Sequence, residues 1–461
     1  MFAKEIYISR REKLRKDVGS GIILILGNDE SPMNYADNTY HFRQDSSFLY
    51  FFGLNFAGLA GVMDCDSGND TIFGNDLTIE DFVWMGPQPT VSDRALNAGV
   101  KSTGSMRHLV EMLGDASSKG RTIHFLPPYR PENKIKLFEW LGILPGEAKA
   151  EASLSLIMAV VNQRNYKSPE EISEIVKAAD ISVDMHVTAM RMARPGIKEA
   201  EIAAAVQAVA VSAGGNIAFP IIATINGQTL HNHYHGNTLR EGQMFLLDIG
   251  AETELGYCAD LSSTVPVSEK FSTQQREIYD LTLASHNRSI EMLKPGIPFR
   301  EVYLESARVI TKGMQQLGMM KGDVEESIAA GAHALFFPCG LGHMMGLDVH
   351  DMEDIGEVYA GWDGKPKPTQ FGIKSLRLGR PLEPGFVLTI EPGIYFIPEL
   401  IDQWSSKGHN DSFINFDKVE KYKKFGGIRN EEDFVITETG YKLLGKPKPK
   451  SPDDIYKIRA K

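Results

Sequence analysis

Met190–Arg191–Met192–Ala193–Arg194–Pro195–Gly196–Ile197 closes one run of helical periodicity and precedes another. Glu291–Met292–Leu293–Lys294–Pro295–Gly296–Ile297 does the same about a hundred residues later. In both places a helix stops at a basic residue, turns on Pro-Gly-Ile, and gives way to a second helix. Strand-like runs follow each pair. Pro-Gly alone marks only a common turn; the matching order of elements around it is what makes a repeat. Such a repeat implies two similar α/β halves facing one another across a central cleft.

Working outward, Tyr166–Lys167–Ser168–Pro169–Glu170–Glu171 marks where this region begins. Ser168 suits an N-cap, Pro169 the first helical position, and Glu171 completes a capping box. Ile172, Ile175, Val176 and Ala179 then recur at helical spacing. The boundary is placed there, giving domains 1–167 and 168–461. The first block is α/β with short strands: Ile22–Leu26 reads as one buried strand and Phe48–Phe52 as another, after a turn-like Asp45–Ser46–Ser47. A chain of 461 residues exceeds one hydrophobic core and agrees with two domains or three.

Composition narrows the function. An apolar share of 42% and a charged share of 24% are those of an ordinary globular protein. The formal net charge of -11 repels phosphate backbones and argues against nucleic acid. Cys65, Cys258 and Cys339 are odd in number and far apart, so no disulfide framework is implied. No leader-like stretch opens the chain and no run approaches ~18 apolar residues. A cytoplasmic protein without a membrane span is expected.

Five side chains on apolar runs of the second block are candidate metal ligands. Asp248 ends Met244–Phe245–Leu246–Leu247, where an unpaired charge would cost several kcal/mol, on the order of 3–5. Asp260 follows in Tyr257–Cys258–Ala259–Asp260–Leu261. The turn-like Glu252–Thr253–Glu254–Leu255–Gly256 between them would set the two acids side by side, where they repel unless a cation intervenes. His343 sits among glycines in Gly340–Leu341–Gly342–His343–Met344–Met345–Gly346. Glu391 ends Phe386–Ile390 and is stopped by Pro392–Gly393. Glu431 lies in Gly427–Ile428–Arg429–Asn430–Glu431–Glu432–Asp433; strand parity puts Arg429, Glu431 and Asp433 on one face and Glu432, the fallback, on the other. Taken singly, each has an ordinary structural alternative. As a set they form a mostly oxygen site, which favours Mn²⁺ above Zn²⁺ with Co²⁺ as a substitute, and several carboxylates can bridge two ions.

Leu247–Asp248–Ile249–Gly250–Ala251–Glu252, Gly340–Leu341–Gly342–His343, Thr389–Ile390–Glu391–Pro392–Gly393–Ile394–Tyr395 and Gly427–Ile428–Arg429–Asn430–Glu431–Glu432–Asp433 resemble the pita-bread metallopeptidases. That family includes methionine aminopeptidase, aminopeptidase P and prolidase. The resemblance assigns Asp248, Asp260, His343, Glu391 and Glu431 to two metal ions, with Asp260 and Glu431 bridging. Asp37–Asn38–Thr39–Tyr40–His41–Phe42–Arg43–Gln44–Asp45–Ser46–Ser47–Phe48–Leu49–Tyr50 resembles the creatinase-like N-terminal domain of aminopeptidase P and prolidase, which methionine aminopeptidases lack. The implied fold is α/β (α+β), an N-terminal α/β domain before a pseudo-two-fold catalytic domain. His231, with His233 and His235 crowding the same loop, and His350 match the family's substrate-contacting histidines. Cys339 departs from the pattern: relatives commonly carry a histidine four residues before the ligand histidine.

The implied reaction is hydrolysis of an Xaa-Pro bond, with Glu391 moving the proton of the attacking water and His231 and His350 stabilising the oxyanion. A dipeptidase must also detect the carboxylate just beyond proline, which arginine does best. Arg377, in Ser375–Leu376–Arg377–Leu378–Gly379–Arg380, resembles the prolidase arginine, and Arg429 is a further candidate for substrate binding. The stretches 352–380 and 397–426 read as long loops and resemble prolidase more than compact aminopeptidase P. The favoured reading is an Xaa-Pro dipeptidase; the alternatives are an Xaa-Pro aminopeptidase and, remotely, a non-catalytic peptide binder. The resemblance also implies a homodimer.

Overall fold

The unbroken apolar run Ile22–Leu26 forms a buried strand, as its composition predicts. It pairs antiparallel with Ala60–Asp64 and parallel with Ile123–Phe125. Asp70–Phe73 and Ser102–Gly104 extend the sheet to five strands. The helix Met106–Ser118 places Leu109, Leu113 and Ala116 on one stripe, and all three join the core with Ile22, Leu24 and Val62. The computed structural model describes residues 1–460. It divides into two compact units, Met1–Arg164 with Met352–Tyr359, and Asn165–Asp351 with the residues from Ala360 onward.

Phe48–Phe52 is not a strand. Ser46–Phe52 is a helix, with Asp45 accepting from Phe48 N at 2.9 Å as its N-cap and Gly53 closing it in the left-handed conformation. The polar triplet that reads as a turn is therefore the cap and the first turn. Every residue of this helix is buried, so it shows no polar face, and a short helix buried all round has the pattern of a buried strand.

In the second unit the helix Pro169–Met192 starts at Ser168 with the expected box: Ser168 Oγ accepts from Glu171 N at 3.4 Å, and Glu171 Oε2 accepts from Ser168 N at 3.0 Å. Two helix pairs follow the repeat, Pro169–Met192 with Glu199–Ser212 and Thr273–Glu291 with Phe299–Gln316. The agreement extends to single hydrogen bonds. Gly196 N donates to Leu239 O at 2.9 Å, and Leu239 N donates to Ile197 O at 2.8 Å. Gly296 N donates to Leu382 O, and Leu382 N to Ile297 O, each at 2.8 Å. Both turn glycines have positive φ, 93° and 85°, which glycine adopts without steric cost.

Each half carries a three-stranded sheet. One orders Ser262–Pro266, Met244–Asp248 and Ile222–Thr224; the other orders Val387–Ile390, Glu432–Ile436 and Tyr441–Leu443. Two strand readings need correction. Pro392–Gly393 does not stop the chain, because Gly393–Tyr395 continues as a strand paired with Gly427–Arg429. The run 427–436 is two strands broken at Asn430 and Glu431, since Glu431 N donates to Ser262 O of the other half at 3.2 Å. The stretches expected as long loops contain the helices Glu353–Trp362 and Pro398–Ser406. No helix among the described residues is long and apolar enough to cross a membrane.

A buried ion pair fixes the turn that follows His343. Lys167 Nζ lies 2.8 Å from Asp351 Oδ2, and both side chains are 1% exposed. A Cβ on Gly346 would lie 2.8 Å from that same oxygen, so glycine is what lets the pair close. Removing one partner of a buried pair leaves an uncompensated charge. Lys167→Met is therefore expected to cost about 3–5 kcal/mol, read as a lower midpoint in urea. An unchanged midpoint would show that the pair contributes nothing to stability.

Candidate metal centre

Asp248 is the last residue of its strand and faces Ser262 across the ladder. The pairing continues as Ile249 N donates to Leu261 O at 3.1 Å, bringing Asp260 into the same cavity. Gly250 packs so closely on the Ala259 carbonyl that any Cβ would overlap it. The hairpin thus needs glycine between its two acids.

His343 is held by the second half. Its N–H donates to Thr389 Oγ1 at 3.1 Å, and Thr389 N donates back to the His343 carbonyl. Nδ1 lies 3.0 Å from Met344 O. A carbonyl only accepts, so Nδ1 carries the proton and Nε2 presents a lone pair. That lone pair faces Asp260 Oδ2 at 3.4 Å and Glu391 Oε1 at 3.6 Å. Glu431 Oε2 accepts from Ser262 Oγ at 2.7 Å, while its Oε1 and Asp260 Oδ1 are buried without a hydrogen-bond partner.

One ligand atom each from Asp260, His343 and Glu431 lie within 4.8 Å of one another. Glu391 stands beside this group. Asp248 lines the same cavity, of about 280 Å³, with Oδ2 held by Arg429. Burial, then the charges of Glu431 and Asp248, pushes the Asp260 carboxyl well above the usual carboxylate range. Burial, then Glu391 and Asp248, does the same to Glu431. Acceptor atoms face acceptor atoms, two buried oxygens lack donors, and clustered carboxylates resist ionisation. A divalent cation resolves all three, and the oxygen-rich donor set fits a hard one.

The remaining candidates divide. His350 packs edge-on against His343, ring centroids 4.4 Å apart. His231 and His233 both line the cavity, whereas His235 Nε2 contacts Ile221 O at 2.9 Å. Burial lowers the His231 pKa, against a raising pull from Asp248. Arg377 and Cys339 also line the cavity. Burial, with Glu391 next, pushes the Cys339 thiol up to about 12, so it is neutral. Glu432 turns away, paired with Lys450 and 3.8 Å from His286.

Arg429 also lines the cavity, with its guanidinium bound to protein groups. Its Nε donates to Ser262 Oγ at 2.8 Å, one terminal nitrogen to Tyr395 Oη at 2.8 Å, and the other to Asp248. These bonds tie Asp248 and, through Ser262, Glu431 to one guanidinium. Ser262 is the residue that sequence reasoning missed, since its Oγ joins Arg429 to Glu431. Its signal was a run of hydroxyls, Ser262–Ser263–Thr264, inside an otherwise apolar strand.

Comparison with known proteins shows what the chain as a whole resembles. Residues 173–438 match metallopeptidase family M24, and residues 7–124 match the aminopeptidase P N-terminal domain. Human Xaa-Pro dipeptidase is 30% identical over 447 residues, spanning 94% of this chain and 88% of the relative. Xaa-Pro aminopeptidase of Escherichia coli K12 is 31% identical over 475 residues, spanning 98% and 97%. The solved structure of zinc-substituted E. coli aminopeptidase P in complex with product matches with a TM-score of 0.81 at 29% identity, covering 100% of this chain and 99% of that one.

Cation binding should appear without any substrate. A divalent ion at about a hundred times its dissociation constant adds ~2.7 kcal/mol of stability, so Mn²⁺ is expected to raise the melting temperature of chelator-treated protein. Asp260→Asn should lose most of that rise and most of the metal measured by elemental analysis. Parent-like metal content in this variant would remove Asp260 from the cation site.

Proposed function

The chain belongs to metallopeptidase family M24, with an aminopeptidase P N-terminal domain ahead of the catalytic one, and from that premise we propose that it hydrolyses the bond on the amino side of proline, preferring Xaa-Pro dipeptides. Asp248, Asp260, His343, Glu391 and Glu431 would hold two divalent ions, Mn²⁺ first, with Co²⁺ or Zn²⁺ as substitutes. When bound, such ions supply Lewis acidity that acidifies water and polarises a carbonyl.

The chain's own groups do the rest. Glu391 Oε1 stands at the edge of the cluster and receives the proton of the attacking water. It returns a proton to the proline nitrogen, a secondary amine that must be protonated to depart. His231 and His350 line the cavity and supply N–H donors to the developing oxyanion. Cys339, neutral, contributes no charge there. All five acid and histidine positions meet in one cavity, which favours catalysis over a binding role. A cytoplasmic homodimer remains part of the proposal, by analogy with the family.

The observation that carries the dipeptide preference is Arg377, which lines the same cavity as the carboxylates. A planar guanidinium there suits the free carboxylate just beyond proline. Relatives of both names match at similar identity, so this arginine supports the choice between them.

His231→Ala and His350→Ala are each expected to lower turnover on Ala-Pro strongly while metal content stays near that of the parent. Metal loss in the His231 variant would make it a ligand instead. Arg377→Ala should weaken Ala-Pro cleavage about ten- to a hundredfold, since a charge-assisted pair contributes roughly 1.5–3 kcal/mol. It should barely slow Ala-Pro-Ala. The measurement is the ratio of kcat/KM for the two substrates; an unchanged ratio makes Xaa-Pro aminopeptidase the better reading.

A further inference from the structure

Glu199 lies in the first turn of the helix Glu199–Ser212 and has no solvent-exposed surface. Its Oε1 accepts from Ile225 N at 2.8 Å. Its Oε2 accepts from Asn237 N at 3.1 Å and from Asn237 Nδ2 at 2.9 Å. Ile225 directly follows the strand Ile222–Thr224, and Asn237 precedes Thr238, which bridges back to Lys198. Between them runs the segment that brings His231 and His233 to the cavity. One buried carboxyl thus ties together both ends of that segment. The helix reinforces the closure, because Glu199 N donates to Asn237 O at 3.0 Å and Ala200 N to His235 O at 3.1 Å. These are helix-terminal donors that would otherwise lack partners.

The second half of the repeat provides an internal control. Its equivalent position, three residues beyond Gly296, is Phe299. Phe299 N donates to Arg380 O at 3.0 Å, as Glu199 N does to Asn237 O. Its side chain is a phenyl ring buried in the core. The same backbone turn therefore closes around an apolar side chain, and the turn itself has no need of a carboxyl. What differs in the first half is the segment the carboxyl holds.

We propose that Glu199 is a positioning residue that holds segment 225–237 so that His231 stands beside the carboxylate cluster. The proposal rests on the catalytic role given above to His231. Its action is indirect, through the two ends of the segment.

Glu199→Gln tests it. Glutamine keeps the shape and one acceptor, but places an amide nitrogen against donors of Asn237. Hydrogen exchange of the amides in 225–237 should quicken more than elsewhere, with metal content near the parent's and a lower melting temperature, since buried donors lose their acceptor. On Ala-Pro, kcat should fall about tenfold or more with KM little changed. In a His231→Ala background the same change should cost less than about twofold, because coupled positions are non-additive. Asn237→Ala, which removes one of the three bonds, should shift exchange the same way by less, and decides the matter if the glutamine variant does not fold. Unchanged exchange in 225–237, or full additivity with His231→Ala, would overturn the proposal. If the parent fails to cleave Ala-Pro, the substrate reading falls, and the exchange measurement still decides whether Glu199 holds the segment.

Discussion

The constraint on which this structure depends is the burial of several like charges in one cavity. Asp248, Asp260 and Glu431 are all nearly inaccessible to water. In a low-dielectric interior such a group repels itself, and burial with that repulsion drives Asp260 and Glu431 toward their neutral forms. The fold answers from two sides. On the protein side, Arg429 brings its guanidinium to Asp248 and, through Ser262, to Glu431. Farther back, Lys448 donates to Ser262 O at 2.8 Å and to Ser263 Oγ at 3.1 Å. From the front, the lone pair of His343 and the unpartnered oxygens of Asp260 and Glu431 leave room only for something positive. The cation is thus part of the electrostatic solution that makes the cavity stable as well as of its chemistry.

The pseudo-two-fold scaffold explains how such charges come together: Asp248 ends a strand, Glu391 and Glu431 directly flank strands, and Asp260 and His343 sit between regular elements held by backbone hydrogen bonds. Each half presents a sheet whose strand ends reach the cavity, and the Pro-Gly turns anchor each helix pair by equivalent hydrogen bonds. Side chains on strand ends are placed more tightly than side chains on loops. The halves are loaded differently on this common frame. The first gives the hairpin acids Asp248 and Asp260, and the second gives His343, Glu391 and Glu431. The close approaches at Gly250 and Gly342, where a Cβ would overlap the carbonyls of Ala259 and Thr389, let backbone lie against backbone beneath the ligands.

Much of this was legible in the sequence, for identifiable reasons. Pro-Gly-Ile and the Ser168 box are local chemistry, and local chemistry survives folding. Glu431 and Glu432 do part, the first toward His343 and the second toward Lys450, but at a break between two strands and not by the parity of one. What escaped was set by distant partners. Phe48–Phe52 shows its helical nature only through the cap at Asp45, because its burial on all sides erases periodicity. The break at Asn430 and Glu431 depends on a hydrogen bond to Ser262, far away in the chain. Arg429 ends the strand before that break, and its bonds to Asp248, Ser262 and Tyr395 come from partners far away in the chain.

Cys339 shows how these levels interact. It occupies the cavity beside Glu391, where a histidine would bring a group able to take positive charge. Its thiol, held protonated by burial, offers only a weak donor, and its sulfur lies 4.0 Å from Tyr395 Oη. Tyr395 is in turn bound by Arg429, whose other nitrogens steady Asp248 and Ser262. The position facing Glu391 is therefore neutral, and the guanidinium charge on the cavity wall comes from Arg429 and Arg377. Arg429 is engaged on Asp248, Ser262 and Tyr395, and Arg377 is the second guanidinium lining the same cavity. A neutral thiol at position 339 thus leaves the guanidinium charge of the cavity wall to these two arginines.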